Sequence, residues 1–211
     1  MKTLELIRRL RKLYGHAKCS LDFENPFQLT VATILSAQCT DERVNKVTPD
    51  LFKKFPTPAA LADASQKEIE TLIKSTGFYR NKSKSLRGMA MAVTKKFGGE
   101  IPQTMTDLHS LPGVGRKTAN VVLGNAFGKP DGIVVDTHVK RLAFRLGLTR
   151  ETTPEKVEID LNQIISRKDW VDFPHWLINH GRRICSARSP KCRECPIVDL
   201  CPRKGLQIGL N

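Results

Sequence analysis

Two groups of residues in this chain have types and spacings that could do chemistry. The first is a lysine and an aspartate. In LPGVGRKTANVVL, residues 111–123, the turn-formers Pro112, Gly113 and Gly115 are followed at once by Arg116 and Lys117, and the sequence then turns apolar. A helix beginning near 116 presents unpaired backbone N–H groups at its start, an end that attracts anions. A lysine amine there is a nucleophile once neutral, and burial, the cations Arg116 and Lys140 and the helix N-terminus all favour that form, while a nearby carboxylate opposes it. Asp136 is within reach: a helix over 116–127 is about 18 Å long, and residues 128–135 can return up to about 26 Å. Each residue also has a plainer role open to it, Lys117 as a phosphate contact and Asp136 as the N-cap of the next helix.

The second group is Cys185, Cys192, Cys195 and Cys201, spaced C-x6-C-x2-C-x5-C, whereas Cys19 and Cys39 stand alone. Four thiolates so close together point to a metal site rather than to disulfides. Zinc sites of four cysteines usually show two C-x2-C pairs, and longer loops suit a bulkier iron-sulfur cluster; the spacing alone leaves both open. The loop SARSPK between the first two ligands would be rigid if a cluster held both its ends. Arg188 and Lys191 would then project as a fixed pair of cations.

Composition says what those cations could meet. The chain has 211 residues, with 35 Lys and Arg against 21 Asp and Glu, a formal charge of +14. Residues 80–96 hold Arg80, Lys82, Lys84, Arg87, Lys95 and Lys96 without one acid, and residues 182–204 hold seven basic side chains. Single runs of this kind are commonly solvated helix faces, but two on so basic a chain point to nucleic acid. No apolar run approaches the roughly 20 residues needed to cross a bilayer. The N-terminal MKTLELIRRLRKLYGH interleaves charge with apolar residues, unlike a signal peptide, so a cytoplasmic protein without membrane contact is expected.

Helices must position these residues. Leu6, Ile7, Leu10 and Leu13 give a first amphipathic helix, Pro26 opens a second, and Asp41 caps a third that Pro49 should interrupt or end. Ser65 and Glu68 form a capping box, with Gly77 past that helix's end, and a long helix over about 80–97 stops at Gly98 and Gly99. Short helical signals lie near 105–110, and further helices follow Gly115, Asp136, Thr153 with Pro154, and Pro174. Only the IVV of 133–135 suggests a strand, which makes no sheet, so an all-α protein of about ten helices is expected. No linker is evident, and GKPDG at 128–132 is the best local boundary.

Five segments in order, LSAQCTDERVN, LPGVGRKTANVVL, VDTHVKRL, HWLINHGRRIC and the four-cysteine pattern, resemble endonuclease III, the bifunctional DNA glycosylase of the helix-hairpin-helix superfamily. The resemblance runs from about residue 20 to 202. It implies a two-lobed all-α fold, with a six-helix barrel over 20–131 and a discontinuous lobe of 1–19 and 132–211 that carries a 4Fe-4S cluster on Cys185, Cys192, Cys195 and Cys201. Damaged duplex DNA would lie in the cleft between the lobes.

The resemblance also makes Lys117 the nucleophile and Asp136 the catalytic carboxylate. It sets Gln38 in the gap left by an extruded base. Phe78 falls where an aliphatic wedge such as Leu is expected, and an aromatic there can still intercalate. Leu111, Gly113, Val114, Gly115, Arg116, Thr118, His138, Arg188 and Lys191 complete the expected DNA contacts. The substrates would be oxidised or ring-saturated pyrimidines, or abasic sites, attacked by a monomer through a lysine Schiff base and β-elimination. Two rivals remain: a related adenine glycosylase, which lacks the lysine and has a further C-terminal domain, and a DNA-binding module without catalysis.

Overall fold

The computed structural model describes residues 2–15 and 19–206, and among these the chain is helical with no strand. Eleven α-helices follow in order: α1 (Lys2–Tyr14), α2 (Pro26–Leu35), α3 (Asp41–Lys54), α4 (Pro58–Asp63), α5 (Gln66–Ile73), α6 (Tyr79–Lys96), α7 (Met105–His109), α8 (Arg116–Phe127), α9 (Thr137–Arg145), α10 (Pro154–Ile164) and α11 (Asp172–Arg183). The chain divides into two compact units, one of residues 19–131 and one combining residues 1–18 with 132–211.

Residues 19–131 are organised around α2, which is apolar on nearly every side and buries Phe27 to Leu35 except Gln28. A helix apolar all round must be enclosed, and α3, α6 and α8 pack against it. The two threonines in it, Thr30 and Thr33, satisfy their hydroxyls on the carbonyls of Pro26 and Leu29 one turn back. The expected capping box closes α5, with Ser65 Oγ accepting from Glu68 N and Glu68 accepting from Ser65 N.

Two sequence expectations need correction here, and one helix is unexpected. Thr40, not Asp41, is the N-cap of α3. Pro49 neither ends nor interrupts α3: it lies on the exposed side, while Val44, Val47, Thr48 and Leu51 continue the buried face past it. With the proline ring on the exposed side, the packed face outweighs the one lost backbone bond. The short helix α4, opened by Pro58 and capped by Thr57, is absent from the sequence expectations, because six residues carry too little periodicity to register.

The other unit brings the N-terminal helix onto the C-terminal helices. Leu6, Ile7 and Leu10 of α1 are buried with Phe173, Trp176 and Leu177 of α11, whereas Leu13, expected on this face, is 44% exposed. Two polar contacts fix the pairing. Arg11 Nη2 donates to both carboxylate oxygens of the buried Asp169 at 2.7 Å, and Trp176 Nε1 donates to the Gly15 carbonyl at 2.7 Å. Helix α9 packs against α10 and α11.

Candidate nucleic-acid interface and metal centre

The turn between α7 and α8 is held from behind. Leu111 and Val114, both expected to touch DNA, are 2% and 4% exposed and anchor the turn in the core; their side chains are therefore unavailable to a ligand, leaving the turn's backbone. Gly113 adopts φ +78°, and a Cβ added there would come within 2.6 Å of Ser85 Cβ on α6. Gly113→Ala should thus lower stability by about 2–4 kcal/mol, the sum of a left-handed alanine and a forced contact, read as a fall in Tm. Gly115 is different: its φ is an ordinary −82°, and a Cβ there would meet nothing within 4 Å.

Gly115 caps α8 without a side-chain bond, so the first turn of α8, bearing Arg116, Lys117 and Thr118, opens at a bare helix start. Arg116 and Lys117 are exposed and Thr118 is half-buried. Arg116 makes a long, exposed ion pair of 3.8 Å with Asp131, a contact that contributes little. The exposure of Lys117 corrects one expectation: burial within the free protein does not desolvate its amine.

Asp136 is the N-cap of α9, its Oδ1 accepting from Val139 N at 2.8 Å. The half-buried carboxylate is thereby fixed through one oxygen. On the same helix, Arg141 Nη2 donates to His138 Nδ1 at 3.2 Å; a guanidinium can only donate, so the neutral ring carries its proton on Nε2. Burial, helped by Arg141 and Arg182 and opposed by Asp136, holds the His138 pKa below its ordinary value.

Gln38 and Phe78 share a property that sequence does not disclose. Both are exposed non-glycine residues in the left-handed region, at φ +53° and +48°, Phe78 with 63% of its surface open. Such a backbone costs on the order of 1–3 kcal/mol, and neither side chain recovers it by burial. Strain that the fold does not use internally is a signal of function.

The four cysteines line one cavity together with Leu142, Arg145, His180 and Ile197. Among the described residues no group of three His, Cys, Asp or Glu side chains is placed to hold a single metal ion. Arg145 Nη1 donates to Cys185 Sγ at 3.3 Å and Arg203 N to Cys201 Sγ at 3.4 Å, while His180 Nε2 lies 3.5 Å from Cys195 Sγ. Burial pushes the Cys195 and Cys201 thiols up.

Sequence reasoning misses Arg145. Nearly buried, it also donates to the carbonyls of Ser186 and Ala187 at 2.7 and 2.8 Å, and with the Lys191 N to Ile184 O bond it stiffens the loop that exposes Arg188 and Lys191. Its signal is there to be read: a basic residue three positions after Leu142, beside the apolar stripe Val139, Leu142, Leu146.

A hairpin of helices with a glycine turn, a lysine at the start of its second helix and a cysteine-lined cavity define a class. Residues 31–167 match the HhH-GPD superfamily of base excision DNA repair proteins, and residues 185–201 match the iron-sulfur binding domain of endonuclease III. The second match decides between zinc and cluster in favour of iron-sulfur. Over 95% of this chain and 92% of the relative, the sequence is 55% identical to endonuclease III of Synechocystis sp.. The structure matches two solved structures, a non-covalent endonuclease III–DNA complex and a trapped endonuclease III–DNA covalent intermediate. Each has a TM-score of 0.89 and 42% identity over 96% of both chains. The chain belongs to the endonuclease III family.

Proposed function

We propose that this protein is a base-excision-repair DNA glycosylase that removes oxidised or ring-saturated pyrimidines from duplex DNA and then nicks the strand as an AP lyase. The observation that carries this is the match, over nearly the whole chain, to an endonuclease III caught covalently on DNA. A stacked base is out of reach of any side chain, so it is extruded at a cost of a few kcal/mol that a lesion lowers. Gln38 and Phe78 enter the space it leaves, and the bare start of α8 with Gly115 and Thr118 takes a backbone phosphate. His138 offers its Nε2 proton to the DNA.

Lys117 Nζ then bonds to C1′ of the deoxyribose. The glycosidic bond breaks, and the base departs with its electron pair and gains a proton. Asp136 stabilises the positive charge that grows on the sugar and assists proton transfer. The dry surroundings that a neutral Lys117 needs form when DNA covers it. Opening of the sugar leaves a Schiff base on Lys117. Loss of the C2′ proton expels the 3′ phosphate by β-elimination, and water returns the free amine.

Cys185, Cys192, Cys195 and Cys201 are the ligands of a 4Fe-4S cluster, which when bound fixes both ends of the loop bearing Arg188 and Lys191. We place the reaction in the cytoplasm, where the DNA of a bacterial cell lies. Arg188→Ala with Lys191→Ala should weaken binding to all duplexes and flatten the slope of log affinity against log salt by about 1.8, if each cation meets one phosphate. Lesion preference should not change.

Borohydride reduction tests the whole reading. Incubation with a thymine-glycol duplex and borohydride should give a covalent protein–DNA complex, and a duplex pairing adenine with oxidised guanine should give none. Release of adenine from the second duplex would identify the adenine glycosylase instead. Binding to both without reaction would leave a DNA-binding module.

A further inference from the structure

One lysine of the basic run 80–96 does not face solvent. Lys82, on α6, is 5% exposed, and its Nζ donates to the carbonyls of Leu35 and Thr76, both at 2.8 Å. Leu35 is the last residue of α2, three positions before Gln38. Thr76 is two positions before Phe78, whose own carbonyl accepts from Lys82 N at 3.0 Å and closes the first turn of α6. A single side chain therefore joins the two loops that carry the two strained, exposed residues.

Burial of an ammonium is costly; it opposes the charged form of Lys82, and the partly buried Cys39 nearby favours it. Packing alone would favour methionine, which fills similar space without that cost. The negative end of α2 and two carbonyl acceptors compensate the charge in part. What the lysine adds, and methionine would not, is a tie between Leu35 and Thr76.

We propose that Lys82 is a positioning residue for base extrusion: it locks the Gln38 and Phe78 loops to each other so that both side chains enter the duplex as one preformed unit. This rests on the proposed function, in which those two residues fill the space of the flipped base. Without the tie each loop can relax out of its left-handed turn before DNA arrives, and the entry of both must be organised during the reaction.

A double-mutant cycle tests this on the holoprotein with a thymine-glycol duplex. Lys82→Met and Gln38→Ala should each lower kcat/KM for base release roughly tenfold to hundredfold, the scale of misplacing a reacting group by about an ångström. Because one acts through the other, the double variant should fall no further than the worse single one. Should methionine prevent folding, judged by loss of a cooperative melt, Lys82→Gln keeps one donor and carries the same cycle. A 2-aminopurine placed opposite a tetrahydrofuran abasic analogue reports unstacking at saturating protein, and its fluorescence rise should shrink in the Lys82 variant. Multiplying fold-losses, or an unchanged fluorescence rise, would overturn the proposal. Failure of the wild-type protein to release thymine glycol would instead overturn the function on which it rests.

Discussion

Lys117→Gln should bind a lesion duplex nearly as the wild type does and form no borohydride-trapped complex, with base release and strand scission reduced by at least about 10⁴-fold. The size follows from the role. A covalent nucleophile is harder to replace than a proton-transfer group, whose loss costs about 10²–10⁴. The stability change should be small, within about 0.5 kcal/mol, because Lys117 is exposed. If Lys117 were instead a phosphate contact, the outcome would invert: affinity and its salt dependence would fall and trapping would persist. The two quantities are read from the same samples, so the variant discriminates in one experiment.

Asp136→Asn should lower base release by about 10²–10⁴ while leaving stability within about 1 kcal/mol of wild type. The reason lies in the cap. Asp136 accepts from Val139 N, and asparagine caps a helix as well as aspartate does, so the fold of α9 survives the change. What asparagine lacks is the negative charge that the proposed reaction sets against the developing positive sugar. Asp136→Ala is the companion: it loses the same charge and a further 0.5–2 kcal/mol or so of stability with the cap. Equal activity of the Asp136→Asn variant and the wild-type protein would leave this residue as a cap and nothing more.

Signals in the sequence are legible where the physics is local. Ser65 and Glu68 bond to each other's backbone across three residues, so their capping box needs no tertiary information. The cap at Asp136 is equally plain. Pro49 misleads because its cost depends on which side of α3 it occupies, and that side is set by α2 and α5 packing against it. The left-handed Gln38 and Phe78 cannot be foreseen, since neither residue prefers that conformation; tertiary contacts impose it. Lys82 is the instructive case. Counted as charge it belongs to a basic run, but it stands four before Leu86 and seven before Met89, both buried, which places it on the apolar stripe of α6. Periodicity marks it, and composition conceals it.

The site is legible in a different way. Residue types and the chain's reach allow Lys117 and Asp136 to meet, the resemblance is what proposes their roles, and spacing groups the cysteines. The supporting residues are legible only in part: periodicity puts Arg145 beside a buried stripe, but its acceptors are backbone carbonyls of a loop some forty residues away, and no pattern of types encodes that pairing.

The contacts of Arg11 and Trp176 have a consequence for synthesis. Gly15 and Trp176 are 161 residues apart, and Arg11 and Asp169 are 158 apart. Translation therefore delivers α1 long before any residue that covers Leu6, Ile7 and Leu10, whereas the hydrophobic core of residues 19–131 is drawn from that unit. The inserted unit is free to fold while the ribosome is still reading the rest, and in doing so it replaces most of a costly loop closure with a body already ordered. Until α11 is made, nothing covers the apolar side chains Leu6, Ile7 and Leu10 of the nascent chain.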